Sequence, residues 1–312
     1  MKVFIAGATG VLGRRVVPLL AAGGHHVVGL SRSQANADWL TQHGAEARPG
    51  DLFDAAQMGD LAADCDAVLH LATAIPTKTR SGASDWALND RIRRDGTRSL
   101  VEAALRGRPR LYVQQSIAFL YGDTGDAWVD ERTPIVRQIG GILQSAVDME
   151  QIVETATRER GLPATILRFG SFYCYDSAQT QAMLDAARRG MLPIIGDGGA
   201  YWSMINVDDA ARAVVAALDH PDAATSRVFN VCDDEPVMYR DLVTYIAAAL
   251  GARKPMRLPT LVARQVLGSP TVNTMQTSIR CRNDRIKATL GWQPQYPTYR
   301  EGFQAEIEKW RA

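Results

Sequence analysis

"KVFIAGATGVLGRRVV", residues 2–17, carries an apolar run into an amphipathic one through Gly7, Gly10 and Gly13. "KVFIAGA" has the composition of a buried strand, and "VLGRRVVPLLAAG" that of a helix ending near glycine. Three glycines between a strand and a helix have separate tasks. Gly7 permits the tight turn, Gly10 lets the backbone approach a pyrophosphate, and Gly13 allows the helix to pack closely on the strand. The start of the helix then offers N–H groups and a partial positive charge to phosphates. Gly7, Thr9, Gly10, Val11, Leu12 and Gly13 are therefore candidate dinucleotide-binding residues.

The same alternation continues outward. "HVVGLSR" (26–32), "AVLHLAT" (67–73), "RLYVQQS" (110–116) and "ATILRFG" (164–170) are further strands, with amphipathic stretches such as "TRSLVEAALRG" between them. Near-continuous apolar strands alternating with helices predict a parallel sheet covered on both faces. The expected class is α/β, a doubly wound (Rossmann) parallel sheet with a smaller C-terminal substrate-binding portion. Beyond residue 170 the pattern loosens. "GDGGAYWSMINVDDAARAVVAAL" is loop, short strand and helix, "RVFNVC" is another strand, and Pro255, Pro259, Pro270, Pro294 and Pro297 mark a loop-rich stretch. Residues 1–170 plus about 203–232 are expected to form the dinucleotide-binding domain. Residues 171–202 and 233–312 are expected to form the substrate-binding portion.

With 46% hydrophobic and 22% charged residues, a chain of 312 residues has ordinary globular composition and can bury a large core. Its 35 basic and 34 acidic residues create no field that would draw nucleic acid or a membrane surface. No cationic segment with a cleavable apolar run precedes the first strand, and no run of about 18 apolar residues occurs. Cys65, Cys174, Cys232 and Cys281 lack metal-ligand spacing, so no metal site and reduced thiols are expected. These features point to the cytoplasm.

The end of the second strand discriminates between the two nicotinamide dinucleotides. A carboxylate there would bond the ribose hydroxyls of NAD(H). This chain has Ser31, Arg32 and Ser33 instead, and a guanidinium flanked by hydroxyls suits a 2′-phosphate. NADP(H) is expected over NAD(H), with Arg14 placed to assist.

Seven separated segments, in order along nearly the whole chain, resemble the extended short-chain dehydrogenase/reductases, the NAD(P)-dependent epimerase/dehydratase-like proteins. They are "GATGVLGR" (7–14), "GDLFD" (50–54), "LHLATA" (69–74), "DGTRSLVEAA" (95–104), "QQSIAFLYG" (114–122), "GDGGAYWSMINVDDAARAV" (196–214) and "LGWQP" (290–294). The resemblance implies that Asp51 and Leu52 contact adenine, that Leu71, Ala72 and Thr73 line the middle of the cofactor, and that Ser116 lies beside the reacting carbonyl. Tyr121 and Gly122 match the "YG" that follows this serine, and Asp208 and Asp209 match an acidic pair of fold-supporting character.

In this family a helix begins with tyrosine, carries lysine four residues later and glutamate four beyond that. With Glu150 as the anchor, "GGILQSAVDMEQIV" (140–153) places Ile142 at the tyrosine position and Ala146 at the lysine position, with Ser145 matching the adjacent serine. The lysines confirm the loss. Only Lys78 lies between residues 3 and 253, and the residue four before it is Ala74. The usual asparagine is Arg93. The resemblance is thus to an atypical member that keeps Ser116 alone of the catalytic set.

Losing a positioned acid costs about 10²- to 10⁴-fold, while orientation and electrostatics remain. Three readings follow. One is an NADP-dependent reductase of a small, moderately apolar carbonyl, enone or imine-type substrate, drawing its proton from Tyr121, Tyr173, Tyr175, Ser116 with water, or the substrate. The others are an isomerase, dehydratase or cyclase without net redox, and an NADP-binding sensor without turnover. The apolar mixture within 171–202 and 256–282 suggests the pocket lining, with Trp202 capping the pocket or packing in the core. Asp148 and Glu150 are expected to be solvated, His70 a strand histidine and Arg168 structural. The expected partner is a small-molecule substrate, a homodimer being left open.

Overall fold

A computed structural model describes residues 1–78 and 82–312. Strands β1 (Lys2–Ala6), β2 (His26–Ser31), β3 (Ala45–Pro49), β4 (Ala67–His70) and β5 (Leu111–Ile117) alternate with helices α1 (Gly13–Ala22), α2 (Gln34–Gln42), α3 (Ala55–Ala62), α4 (Ala83–Arg91) and α5 (Thr97–Gly107). After a two-residue strand β6 (Trp128–Val129) come α6 (Gln144–Arg160) and β7 (Ala164–Phe169). Strand Arg227–Val231 completes a seven-stranded parallel sheet in the order Arg227–Val231, β7, β5, β4, β1, β2, β3. The order reverses at β1, so the glycine turn stands at the topological switch point, where ligands bind in such sheets.

Both faces of β1 are buried. Val3 and Ile5 pack with Val16, Val17 and Leu20 of α1 and with Ala210 and Val214 of helix Val207–Asp219. Phe4 and Ala6 face Met58 of α3, Leu100 and Ala104 of α5, and Val153 of α6. Burial on both sides is why these strands are continuous apolar runs rather than alternating ones. The doubly wound class is present as expected. Strand β3 was not among the expected strands, because as an edge strand it buries only Ala45 and carries no apolar run.

Short pairs build the rest around the sheet's carboxyl edge. Ser171–Tyr173 pairs with Met204–Asn206, Ile194–Ile195 with Arg257–Leu258, and Tyr201–Trp202 with Val237–Met238. β6 pairs with Arg280–Cys281, which fastens the loop after β5 to the C-terminal segment. Beyond residue 232 the chain returns once to the sheet's core. Helix Asp284–Leu290 returns Ile286 and Leu290, with Trp292, to the core beside Val207–Asp219. Asp209 anchors this return, accepting from the backbone N–H of Gln295 at 2.6 Å and Tyr296 at 3.1 Å. All four cysteines are buried and unpaired. Among the described residues no helix is long and apolar enough to cross a membrane, and no group of three His, Cys, Asp or Glu could hold a metal.

Candidate functional site

The glycine turn is shaped by overlap at two positions and by openness at the third. Gly7 adopts φ +92°, and a Cβ there would come within 2.6 Å of Ala72 Cα. A Cβ on Gly13 would meet the Ala8 carbonyl carbon at 2.6 Å, so α1 lies directly on the strand end. At Gly10 a Cβ would meet only the Gly7 carbonyl oxygen, at 3.3 Å, which leaves the outer side free for a ligand to approach the backbone. α1 has no side-chain cap and no acidic residue in its first turn; Arg14 and Arg15 N–H donate to the Gly10 and Leu12 carbonyls, which leaves the N–H groups of Val11, Leu12 and Gly13 to meet an anion. Thr9 and the exposed Val11 flank this opening, whereas Leu12 is buried in the core. These residues fit a dinucleotide pyrophosphate.

Ser31, Arg32, Ser33, Gln34, Gly50 and Asp51 line an open cleft of about 520 Å³ beyond the turn. Ser31 is buried and its hydroxyl donates to the Ser33 carbonyl at 2.9 Å, so it shapes the loop. Ser33 caps α2 by accepting from Asn36 N–H at 3.3 Å. Arg32 is exposed and makes no ion pair among the described residues. An Arg side chain beside a helix N-terminus is suited to a phosphate monoester. Arg14 is engaged elsewhere, with Nε donating to the Thr9 carbonyl at 3.0 Å and the guanidinium 4.7 Å from the Trp39 ring centre. Leu52 and Leu71 are buried core residues, so only their backbones remain to meet a cofactor, while Ala72 is half-buried and Thr73 exposed.

Near the carboxyl ends of β5 and β7 the structure corrects three expectations. Ser116 is 1% exposed, and its hydroxyl donates to Glu150 Oε1 at 2.5 Å instead of facing a substrate or cofactor. Glu150 is fully buried rather than solvated and accepts from Arg168 Nη2 at 2.6 Å and Nε at 3.0 Å. Arg168 Nη1 donates at 3.1 Å to the Tyr121 hydroxyl, which donates at 2.8 Å to Asn230 Oδ1. Ser116, Arg168 and Asn230 are in register on three neighbouring strands, so the network crosses the sheet as one band. Burial pulls the Arg168 pKa down, but the Glu150 hydrogen bonds and charge outweigh it and hold the cation. Burial pushes the Tyr121 pKa up to about 12, against the opposing Arg168 charge. Ser116 and Tyr121 thus hold structure together; neither is placed to give a proton to a substrate.

Tyr173 is likewise withdrawn. It has no exposed surface, stacks on Phe303 at 4.4 Å, and burial pushes its pKa far up. Tyr175 turns to the C-terminal helix, where its N–H donates to Glu306 and Lys309 lies 5.8 Å from its ring. Trp202 packs against Tyr239 and donates to the Met275 carbonyl at 3.2 Å. His70 is buried, its pKa lowered by that burial to about 4, so it stays neutral.

The helix position of the missing acid faces a cavity of about 410 Å³, lined in part by Phe119, Asp123, Ile139, Ile142, Leu143 and Thr277. Ile142 lies in a single 3-10 turn (Gly141–Leu143) that leads into α6. Ala146, at the lysine position, is buried among Ala118, Tyr121 and Val147. Behind this wall stands Arg93, on a widened π-type turn, Ile92–Gly96, that follows α4. Arg93 is 5% exposed, and its guanidinium donates to the Ile142 carbonyl at 3.2 Å and Ser145 Oγ at 3.3 Å. Burial draws its pKa down to about 10, partly offset by Asp90. Residues 269–277 on one side of the cavity fall within the stretch expected to line it. Phe119 and Asp123, from the loop after β5, were not among the expected lining residues, because nothing in local spacing brings them to residue 277.

Comparisons with known proteins agree with this geometry. A family model described as NAD dependent epimerase/dehydratase matches residues 3–232. A 3-diazoavenalumate denitrifying reductase from a Streptomyces species is 31% identical over 316 residues, covering 98% of this chain and 100% of that protein. The crystal structure of human epimerase family protein SDR39U1 with NADPH superposes with TM-score 0.80 at 22% identity, over 99% of each chain. That of a dTDP-glucose 4,6-dehydratase from Streptomyces venezuelae with NAD superposes with TM-score 0.80 at 18% identity, over 100% of this chain and 97% of that one. With the glycine turn and the cleft beyond it in place but Ile142 and Ala146 at the tyrosine and lysine positions, the chain belongs to the NAD(P)-dependent epimerase/dehydratase family of extended short-chain dehydrogenase/reductases, as an atypical member.

Proposed function

We propose that this protein is an NADPH-dependent reductase of a small, moderately apolar acceptor that takes up hydride without a proton from the protein. The observation that carries this reading is the pairing of an open cofactor cleft with a complete absence of the usual acid. Ile142 and Ala146 cannot donate, Arg93 replaces the asparagine, and the Ser116 hydroxyl is spent on Glu150. When bound, NADPH supplies the hydride. The chain's own residues hold the pyrophosphate at Gly10 and the N-terminus of α1, read the 2′-phosphate with Arg32, and keep water from the acceptor with Ile142 and Phe119. Acceptors activated in advance, such as iminium ions, conjugated enones and arenediazonium ions, suit this arrangement. The Streptomyces relative, named as a denitrifying reductase of a diazo compound, supports it.

Two measurements test the proposal. Incubation with NADPH deuterated at C4 and a panel of iminiums, enones, aldehydes and ketones is expected to place deuterium in the products of activated acceptors first. Ketones, which need an acid, should react about 10²- to 10⁴-fold more slowly. Tight NADPH binding with no deuterium transferred to any acceptor would favour the sensor and non-redox readings instead. Calorimetric titration is expected to show NADPH bound more tightly than NADH. Arg32→Ala should remove that preference, at about tenfold to hundredfold for a lost charge-assisted contact. A preference for NADPH that survives Arg32→Ala would remove the arginine from cofactor recognition.

A further inference from the structure

We propose that the cavity on Ile142 is a site for a cationic, otherwise apolar small molecule, held by the carboxylate of Asp123 against the ring of Phe119. As a statement about the substrate this rests on the reductase reading above; as a statement about binding it does not.

The walls decide the charge. Phe119, Ile139, Ile142 and Leu143 supply the apolar surface, and Asp123 is the only ionisable side chain among the described residues of the lining. The polar remainder, including Asn273 and Thr277, is neutral. A carboxylate, phosphate or sulfonate entering this space would meet no cation in the lining, because Arg93 lies behind the Ile142 backbone and the Arg264 guanidinium stands outside the lining, 3.4 Å from Asn273 Oδ1. A cation would meet both the Asp123 carboxylate and an aromatic side chain, Phe119, the pairing that recognises organic cations. Asp123 is also held in place. Its Oδ1 accepts from the N–H groups of Gly125 and Ser278, each at 3.2 Å, while Oδ2 has no hydrogen-bond partner among the described residues. The loop after β5 and the C-terminal segment thus hold one oxygen of this exposed carboxylate on the backbone and leave the other to solvent or a ligand. The volume of about 410 Å³ suits a molecule of one or two rings.

Positive charge on the acceptor also completes the chemistry without an acid. In an iminium, the hydride from NADPH forms the new C–H bond and the C=N π pair moves to nitrogen, leaving a neutral amine and NADP⁺. In an arenediazonium, hydride replaces the dinitrogen group, the C–N pair leaves with N₂, and the products are the arene and NADP⁺. Neither balance contains a proton from the protein.

The test uses non-reducible probes, so it is independent of turnover. Calorimetry with and without NADP⁺ compares benzyltrimethylammonium, its uncharged carbon isostere neopentylbenzene, and benzoate. The cation is expected to bind about tenfold more tightly than either, the sum of an exposed ion pair and a cation–π contact. Asp123→Asn keeps the Oδ1 acceptor for Gly125 and Ser278 and should lower cation affinity about fivefold, leaving the neutral probe unchanged. Equal binding of the cation and its isostere by the unaltered protein, or tighter binding of benzoate, would overturn the proposal whether or not the variant folds. A cation preference unchanged in Asp123→Asn would overturn the assignment of Asp123. Failure of deuterium transfer together with Asp123-dependent cation binding would leave this site standing and remove only the reductase reading.

Discussion

Glu150→Ala is expected to cost about 3–5 kcal/mol of folding stability, the usual penalty for leaving one partner of a buried ion pair uncompensated. The pair is desolvated, with the Arg168 side chain 5% exposed and that of Glu150 fully buried. Glu150 also accepts the Ser116 hydroxyl, and Arg168 continues to Tyr121 and Asn230. Removing the carboxylate therefore strands a cation and loosens hydrogen bonds on three adjacent strands. Glu150→Gln keeps the shape and an acceptor for Ser116 but not the charge, so it should fall between alanine and the unaltered protein. The double change Glu150→Met with Arg168→Met should cost less than the two single changes added together, because it leaves no orphaned charge. Urea denaturation of the original protein, Glu150→Ala, Glu150→Gln, Glu150→Met, Arg168→Met and the double variant measures this directly. A Glu150→Ala protein within about 1 kcal/mol of the original would show that the band across the sheet is not what holds these strands.

Gly7→Ala and Gly10→Ala should separate the two duties of the glycine turn. At Gly7 the methyl group must enter both a left-handed φ of +92° and the Ala72 backbone, and neither can yield without moving β4 from β1. A loss of about 3 kcal/mol in stability is expected, together with loss of NADPH binding. At Gly10 the same methyl meets only one carbonyl oxygen, at 3.3 Å, so stability should stay within about 1 kcal/mol of the original. That methyl nevertheless stands on the surface a pyrophosphate must approach, and NADPH affinity should drop about hundredfold, equivalent to losing a charge-assisted contact or two. Paired thermal melts and NADPH titrations give the answer. Retained NADPH affinity in a folded Gly10→Ala protein would place the pyrophosphate elsewhere.

The two experiments mark different depths of legibility. The glycines announce themselves because their tasks are local: a turn, a close approach and a helix start within seven residues. The parallel sheet is equally legible, since strands buried on both faces must be apolar throughout, as Val3 to Ala6 are. β3 escapes because an edge strand with one buried residue has no such signature. The returning helix Asp284–Leu290 escapes for a related reason, its apolar face packing on strand Arg227–Val231 and the core beside Val207–Asp219, far outside the reach of local periodicity.

The sequence by itself determined the fold class, the position of the cofactor turn and the loss of the tyrosine–lysine pair. Each of these follows from residue type at short spacing. Only the tertiary structure decided what Ser116, Glu150 and Asp123 do. Whether Ser116 offers its hydroxyl to a ligand or to Glu150 depends on which side of β5 receives α6, and the two residues are 34 positions apart. Whether Asp123 is a loop residue or part of a cavity wall depends on residues 269–277, brought alongside it by the pairing of β6 with Arg280–Cys281. Burial and partner, set by packing between distant segments, fix the chemistry of an ionisable or hydroxyl side chain, and short sequence spacing contains neither.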